Sequence, residues 1–154
     1  MESAAKGRIM GLDYGEKRIG VAISDELRLF ARPLENITRK GDKNLFSRLQ
    51  RLAEEWEVHE IVLGLPKNMD GTRNRLAGQV ASFAGLLQKE IPLPLHWVDE
   101  RLSSWEAESL PEERKTGQEL RFKAGKPGLD SRAAALILQR FLDGEPSVDP
   151  FSVG

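Results

Sequence analysis

Arg8-Ile9-Met10-Gly11-Leu12-Asp13-Tyr14-Gly15-Glu16-Lys17-Arg18-Ile19-Gly20-Val21-Ala22-Ile23-Ser24-Asp25 contains two apolar runs of strand length, Ile9 to Leu12 and Ile19 to Ile23. Gly and Asp between such runs mark strand ends and a turn. The pair reads as a β-hairpin with a carboxylate, Asp13, at the end of its first strand. Taken alone, an Asp in that position is accounted for by bonds to turn amides. What the rest of the chain places beside it decides between that role and a chemical one.

Composition narrows the field. The chain has 154 residues, close to the commonest domain size and enough to bury a sizeable core. Residues 8–143 read as one domain, with 1–7 a flexible tail and 144–154 an irregular one. The formal net charge is −1, so nucleic-acid binding must come from local patches rather than a global basic excess. There is no Cys, which excludes disulfides and thiolate metal sites and fits a reducing cytoplasm, the expected location. His59 and His96 are too few for a typical zinc site. No run approaches the roughly 20 apolar residues that span a bilayer, so no membrane partner is expected. The first six residues lack the apolar segment of a signal peptide.

Outward from the hairpin, strands are expected over 8–13 and 18–25, and a third extended stretch over 29–38. Pro33 lies in the third, and a residue with no N–H belongs at a sheet edge. Leu45, Phe46, Leu49, Leu52, Ala53 and Trp56 recur at helical spacing, predicting a helix over about 43–57 capped by Asp42. Glu60 to Pro66 is a short apolar run of the kind buried on both faces in a parallel sheet. Lys67 and Asn68 follow its carboxyl end, where open α/β sheets bind ligands, although a plain polar turn explains them equally well. A helix over 73–90 and a strand over 93–98 come next, the strand running into Asp99-Glu100-Arg101-Leu102-Ser103-Ser104. Strand side chains alternate faces, so at most one of Asp99 and Glu100 points to a shared site. Ser103 or Ser104 can cap a further helix.

Residues 111–128 read as a mobile loop, and from Arg114 to Arg132 six basic and two acidic residues leave +4. Phe122 sits in this patch, where a base can stack on it or the ring can pack inward. A last helix over about 131–143 presents Ala133, Ala134, Ile137, Leu138, Phe141 and Leu142, with Asp130 at its N-cap position.

Three sequential strands followed by strand–helix units imply an α/β fold built on a mixed sheet. Strands 1–3 are antiparallel, right-handed crossovers follow, and the order is 3-2-1-4-5 with flanking helices. That order permits Asp13, Glu100 and Asp130 to share the carboxyl edge. Clustered carboxylates repel one another, and a hard divalent cation removes that penalty. Two such cations about 3.5–4 Å apart suit in-line cleavage of a phosphodiester.

The motifs Gly11 to Asp25, Gly64-Leu65-Pro66-Lys67-Asn68-Met69-Asp70-Gly71, Val98 to Ser104, and Asp130 to Gln139 together resemble the YqgF family. This family is also called the RuvX or pre-16S rRNA nuclease family and is related to the RuvC-type Holliday junction resolvases. The resemblance spans nearly the whole domain. It implies an RNase H-like fold and a Mg²⁺- or Mn²⁺-dependent nuclease with a two-metal site. Asp13, Glu100 and Asp130 fall on the family's acidic positions, with Asp13 expected to bridge the metals. Lys17, Arg18, Lys67, Asn68, Arg101 and Ser103 fall on motif positions that face the substrate. The implied process is 5′-end maturation of pre-16S rRNA, associated with ribosomal particles. Arg121, Lys123 and Lys126 of the basic loop are expected to clamp the phosphate backbone.

There are departures from the family. Ser103-Ser104 replaces a frequent Thr-Thr and keeps the hydroxyls. Pro127 stands where RuvC-type resolvases carry a further acidic residue, which weakens the reading as a resolvase of four-way DNA junctions. A non-catalytic rRNA-binding assembly factor is the third reading. A nucleotide-binding domain of the actin and sugar-kinase type would need two such domains, and Gly125-Lys126-Pro127 is no P-loop.

Overall fold

The computed structural model describes residues 7–65, 75–99 and 129–144. Their elements run β1 (Arg8–Asp13), β2 (Arg18–Ser24), β3 (Ala31–Thr38), α1 (Asp42–Glu55), β4 (Val58–Leu65), α2 (Arg75–Glu90), β5 (Leu95–Asp99) and α3 (Leu129–Leu142). The strands form one sheet in the order β3-β2-β1-β4-β5. β1 pairs antiparallel with β2 and β2 with β3, while β4 runs parallel to both β1 and β5. This is the order expected from the chain's pattern, with proline-bearing β3 at one edge. The expected loop after Pro66, the helix at Ser103 or Ser104, the loop 111–128 and both tails beyond residues 7 and 144 lie outside the described residues.

Alternation sorts the core into two layers. Met10, Leu12, Val21, Ile61, Leu63 and Trp97 point to the side covered by α1 and α2, where Leu45, Phe46, Leu49, Val80, Phe83 and Leu87 meet them. Ile9, Ala22, Val62 and Val98 point to the other side, against Ala134, Ala135, Ile137 and Leu138 of α3. β4 is thus buried on both faces, as its unbroken apolar run requires.

The second layer is thin because α3 lies almost on the sheet. A Cβ placed on Gly11 would stand 2.8 Å from the Leu138 Cβ and 3.1 Å from the Ala134 carbonyl oxygen. Glycine there is a requirement of helix–sheet approach rather than of backbone conformation. β3 holds the same helix near both ends. The Asn36 Oδ1 accepts from the Ser131 amide at 2.7 Å. The Gln139 Oε1 accepts from the Ala31 amide at 2.8 Å, and its Nε2 donates to the Leu29 carbonyl at 3.1 Å. Near the carboxyl end of α3, Phe141 stacks on His96 with centroids 4.8 Å apart. The His96 ring bonds Glu60 at 2.6 Å, and Glu60 also pairs with Arg28 at 2.7 Å.

Several boundaries and caps differ from expectation. Asp42 does not cap α1. Gly41 occupies the N-cap without a side-chain bond, and Asp42 stands in the first turn, with its carboxylate 3.1 Å from the Arg39 guanidinium. Asp130 likewise sits inside the first turn of α3, which begins one residue earlier, rather than at its cap. β2 ends at Ser24 because Asp25 folds the following loop, its carboxylate accepting amides of Leu27, Leu29 and Phe30 at 3.1, 2.8 and 2.8 Å. Those bonds hold its pKa below the usual carboxylate value, the bond from Phe30 weighing most.

Gly11→Ala should lower stability by about 1–3 kcal/mol, read as a shift in urea midpoint, because neither the helix backbone nor the Leu138 Cβ can yield cheaply. A pH series should isolate Glu60. Burial favours its neutral form, but His96 and Arg28 outweigh burial and lower its pKa. Its share of stability is therefore complete above the unfolded glutamate value of about 4.3 and is lost as pH falls through the lower folded value. Glu60→Gln should remove that part of the acid-side decline.

Candidate active site

Asp13 is the last residue of β1 and is half-buried. Counting from Ile9, alternation turns it to the α3 side. Its partner on β2 is Gly20 and on β4 is Gly64. Gly20 is itself opposite Asn36 on β3, and Gly64 opposite Val98 on β5. One transverse row, Asn36–Gly20–Asp13–Gly64–Val98, therefore crosses the sheet on the α3 side. The two positions flanking Asp13 on the neighbouring strands are glycines and carry no side chain. Asn36, two strand spacings or about 10 Å away, is the residue that binds the Ser131 amide. The same row thus carries Asp13 and fixes the first turn of the helix whose second residue is Asp130.

Arg18 opens β2 and is exposed. It lies two residues before Gly20, so alternation puts it on the Asp13 side, while Lys17 is exposed in the preceding turn. Asp99 pairs with Leu65, on the α1/α2 side, so β5 turns it away from Asp13. Glu100 follows it in the chain and lies outside the described residues, as do Lys67, Asn68, Arg101, Ser103, Arg121, Phe122, Lys123 and Lys126. Among the described residues no three His, Cys, Asp or Glu side chains form a metal-binding group; Asp13 is the one expected ligand whose side chain is described. Arg132 in the first turns of α3 is buried, and burial lowers its pKa. Arginine nevertheless stays charged at any physiological pH, so the helix brings a fixed cation close to Asp130 in the chain.

Sequence reading missed Asn36 and the paired glycines. Asn36 is one polar residue among several in an edge strand, and only the register shows that it meets α3. Gly20 and Gly64 stand within motifs already noted, but nothing local announces that they face Asp13.

The family model described as "RuvX: Holliday junction resolvase" matches residues 7–144. A protein from Syntrophomonas wolfei named "Putative pre-16S rRNA nuclease" is 46% identical over 89% of this chain and 94% of its own length. One of the same name from Halothermothrix orenii is 43% identical over 88% and 94%. Among solved structures, RuvC of Thermus thermophilus bound to a Holliday junction substrate matches with a TM-score of 0.58 at 16% identity, covering 88% of this chain and 93% of that one. A fowlpox virus Holliday junction resolvase matches with a TM-score of 0.50 at 13% identity, covering 90% and 99%. At such identities these likenesses establish the shared RNase H-like fold.

Asn36→Ala should free the Ser131 amide. Amide hydrogen exchange in the first turn of α3 should speed up, while global stability falls by only about 1 kcal/mol. Unchanged exchange at Ser131 would show that Asn36 does not hold the turn.

Proposed function

The chain belongs to the RuvX family, and from that premise we propose that it is a metal-dependent endonuclease acting in 5′-end maturation of pre-16S rRNA. One observation carries the reading: a half-buried carboxylate at the carboxyl end of a central strand, flanked by two glycines and facing the helix that bears Asp130. The names of the curated relatives supply the substrate class.

In this reading Asp13, Glu100 and Asp130 hold one or two Mg²⁺ or Mn²⁺ ions. The fit rests on donor chemistry, since carboxylate oxygens are what these hard cations select. Bound there, the cations would generate the attacking hydroxide and offset charge on the leaving oxygen. The remaining work belongs to the chain. Asp13 is placed by the last position of its strand. Asn36 fixes the first turn of α3, and with it the backbone of Asp130. Lys17 and Arg18, exposed at the turn after Asp13, bind substrate phosphates. Lys67, Asn68, Arg101 and Ser103, which follow β4 and β5 in the chain, add substrate contacts in this reading, and Arg121, Lys123 and Lys126 grip the phosphate backbone. The cytoplasm is the location that suits this substrate, and no helix among the described residues is long and apolar enough to cross a membrane.

Four-way DNA junctions are the second reading, favoured by the family description and by the junction-bound structural relative. The deciding assay offers both substrates to the wild type and to Asp13→Asn, with Mg²⁺ or Mn²⁺. Cutting of a pre-16S rRNA 5′-end fragment should fall by about 100-fold or more in the near-isosteric variant. Cutting of junction DNA alone would transfer the activity to the second reading. Cutting of neither would leave a binding role in ribosome assembly.

A further inference from the structure

Residues 13 and 14 look to opposite sides of the sheet. Asp13 faces α3, whereas Tyr14 packs against the α1/α2 core, with its ring edge-on to Phe83 at 5.3 Å and 61°. Beyond Tyr14, on that far side, lies an open cleft of about 670 Å³ between the β1–β2 turn, the start of α1 and helix α2. The size is within the range of small-ligand sites. Its wall offers an aromatic ring (Tyr14), a planar cation (Arg39), an amide (Gln79) and a hydroxyl (Ser82), with Arg75 and Gly78 beside them.

We propose that this cleft receives one nucleotide of a single-stranded segment of the substrate, base inward and phosphate at the rim. The proposal rests on the nuclease reading for its relevance to cleavage, but not for the binding itself.

Three features support it. The interior is organised before any ligand arrives. The Arg39 guanidinium lies over Tyr14 at 5.3 Å and over Phe83 at 5.8 Å, donates to the Gly15 carbonyl at 3.0 Å and pairs with Asp42 at 3.1 Å. An aromatic ring and a guanidinium are the two kinds of group on which any base can stack. The polar groups can exchange partners: the Gln79 Nε2 donates to Glu16 across the cleft at 3.1 Å, in an exposed bond that a base edge can replace at little cost. Basic residues adjoin the wall in the chain. Arg75 lines the cleft and is exposed, and Lys17, Lys40 and Lys43, each next in sequence to a lining residue, are exposed as well; the Lys17 carbonyl accepts from the Arg39 amide at 2.8 Å. The two acidic groups of the wall, Glu16 and Asp42, are engaged by Gln79 and Arg39.

The place also fits. Tyr14 directly follows Asp13 in the chain, so the cleft lies at the same carboxyl end of β1 as the carboxylate, on the opposite face of the sheet. The chemistry side of β1 would cut while the opposite side grips a neighbouring unpaired base. A cleft of this kind favours substrates with an unpaired stretch beside the cut.

Tyr14 is the chain's single tyrosine, so full-length protein carrying 3-fluorotyrosine gives one ¹⁹F resonance that reports from the cleft. Titration with 5′-AMP and with a hexa-adenylate RNA should shift that resonance saturably, and inorganic phosphate should not. The blocking variant is Gly78→Leu. Nothing lies within 4 Å of a Cβ built there, and leucine favours a helix over glycine, so folding is retained, as the melting temperature will confirm. It should weaken nucleotide binding by about tenfold or more, well over 1 kcal/mol in affinity. The same shift in Asp13→Asn would show that binding is independent of the catalytic carboxylate. No shift with either nucleotide ligand, the same end point with phosphate alone, or a titration indifferent to Gly78→Leu would each overturn the proposal. Those results leave Asp13-dependent cutting untouched, just as absent cutting with a preserved shift would overturn the nuclease reading and keep the cleft.

Discussion

The approach of α3 to β1 at Gly11 is the constraint on which the arrangement depends. A helix resting on a sheet is normally held off it by side chains from both layers. Here one strand residue has none, and the Leu138 Cβ and the Ala134 carbonyl occupy the space. The buried residues of that layer are correspondingly modest, with Ala22, Ala134 and Ala135 among them. Gly11 and Asp13 point the same way from one strand. The contact that seats the helix and the carboxylate that faces it are therefore two residues apart on a rigid element, and little play separates them.

Hydrogen bonds convert that seating into orientation. Apolar packing alone would let α3 slide or rotate along the sheet, because dispersion is not directional. Asn36 near its amino end and Gln139 near its carboxyl end fix it to the same edge strand. The Glu60–His96–Phe141 chain then anchors the far corner against β4 and β5. Placing Asp130 in the first turn, rather than at the cap, changes what the helix offers it. Interior to the turn, its backbone is fixed by helical geometry instead of by a variable cap conformation. Arg132, two residues on, is buried and carries a permanent positive charge.

Much of this was legible in the chain. The strand order follows from the three short hairpin-linked runs, the doubly buried β4 and the handedness of crossovers, and Pro33 marked the edge. Asp13 was legible as the end of a strand, and the face of α3 could be counted from Ala134, Ile137 and Leu138. What could not be read was anything decided by a second element. Asp42 is a good capping residue by type, yet Arg39 from the preceding strand end takes its carboxylate. Asn36 looks like any polar residue of an exposed edge until the register sets it opposite Gly20 and beneath the amide of Ser131. The extent of β2 was overestimated by one residue because Asp25 gains more from three loop amides than from a ladder.

On the proposed reading, the two faces of β1 divide the work. Carboxylates on the α3 side would act on a phosphodiester whatever sugar or base flanks it. Selection has to come from groups that meet the substrate away from the reacting phosphate. On the opposite side of the same strand, Tyr14, Arg39 and Gln79 form a surface rich in stacking and amide chemistry. Such a surface gains most from a base that is already unpaired, because flipping a paired base costs a few kcal/mol. Placing chemistry on one side of β1 and grip on the other would bias the protein toward substrates with unpaired nucleotides beside the cut.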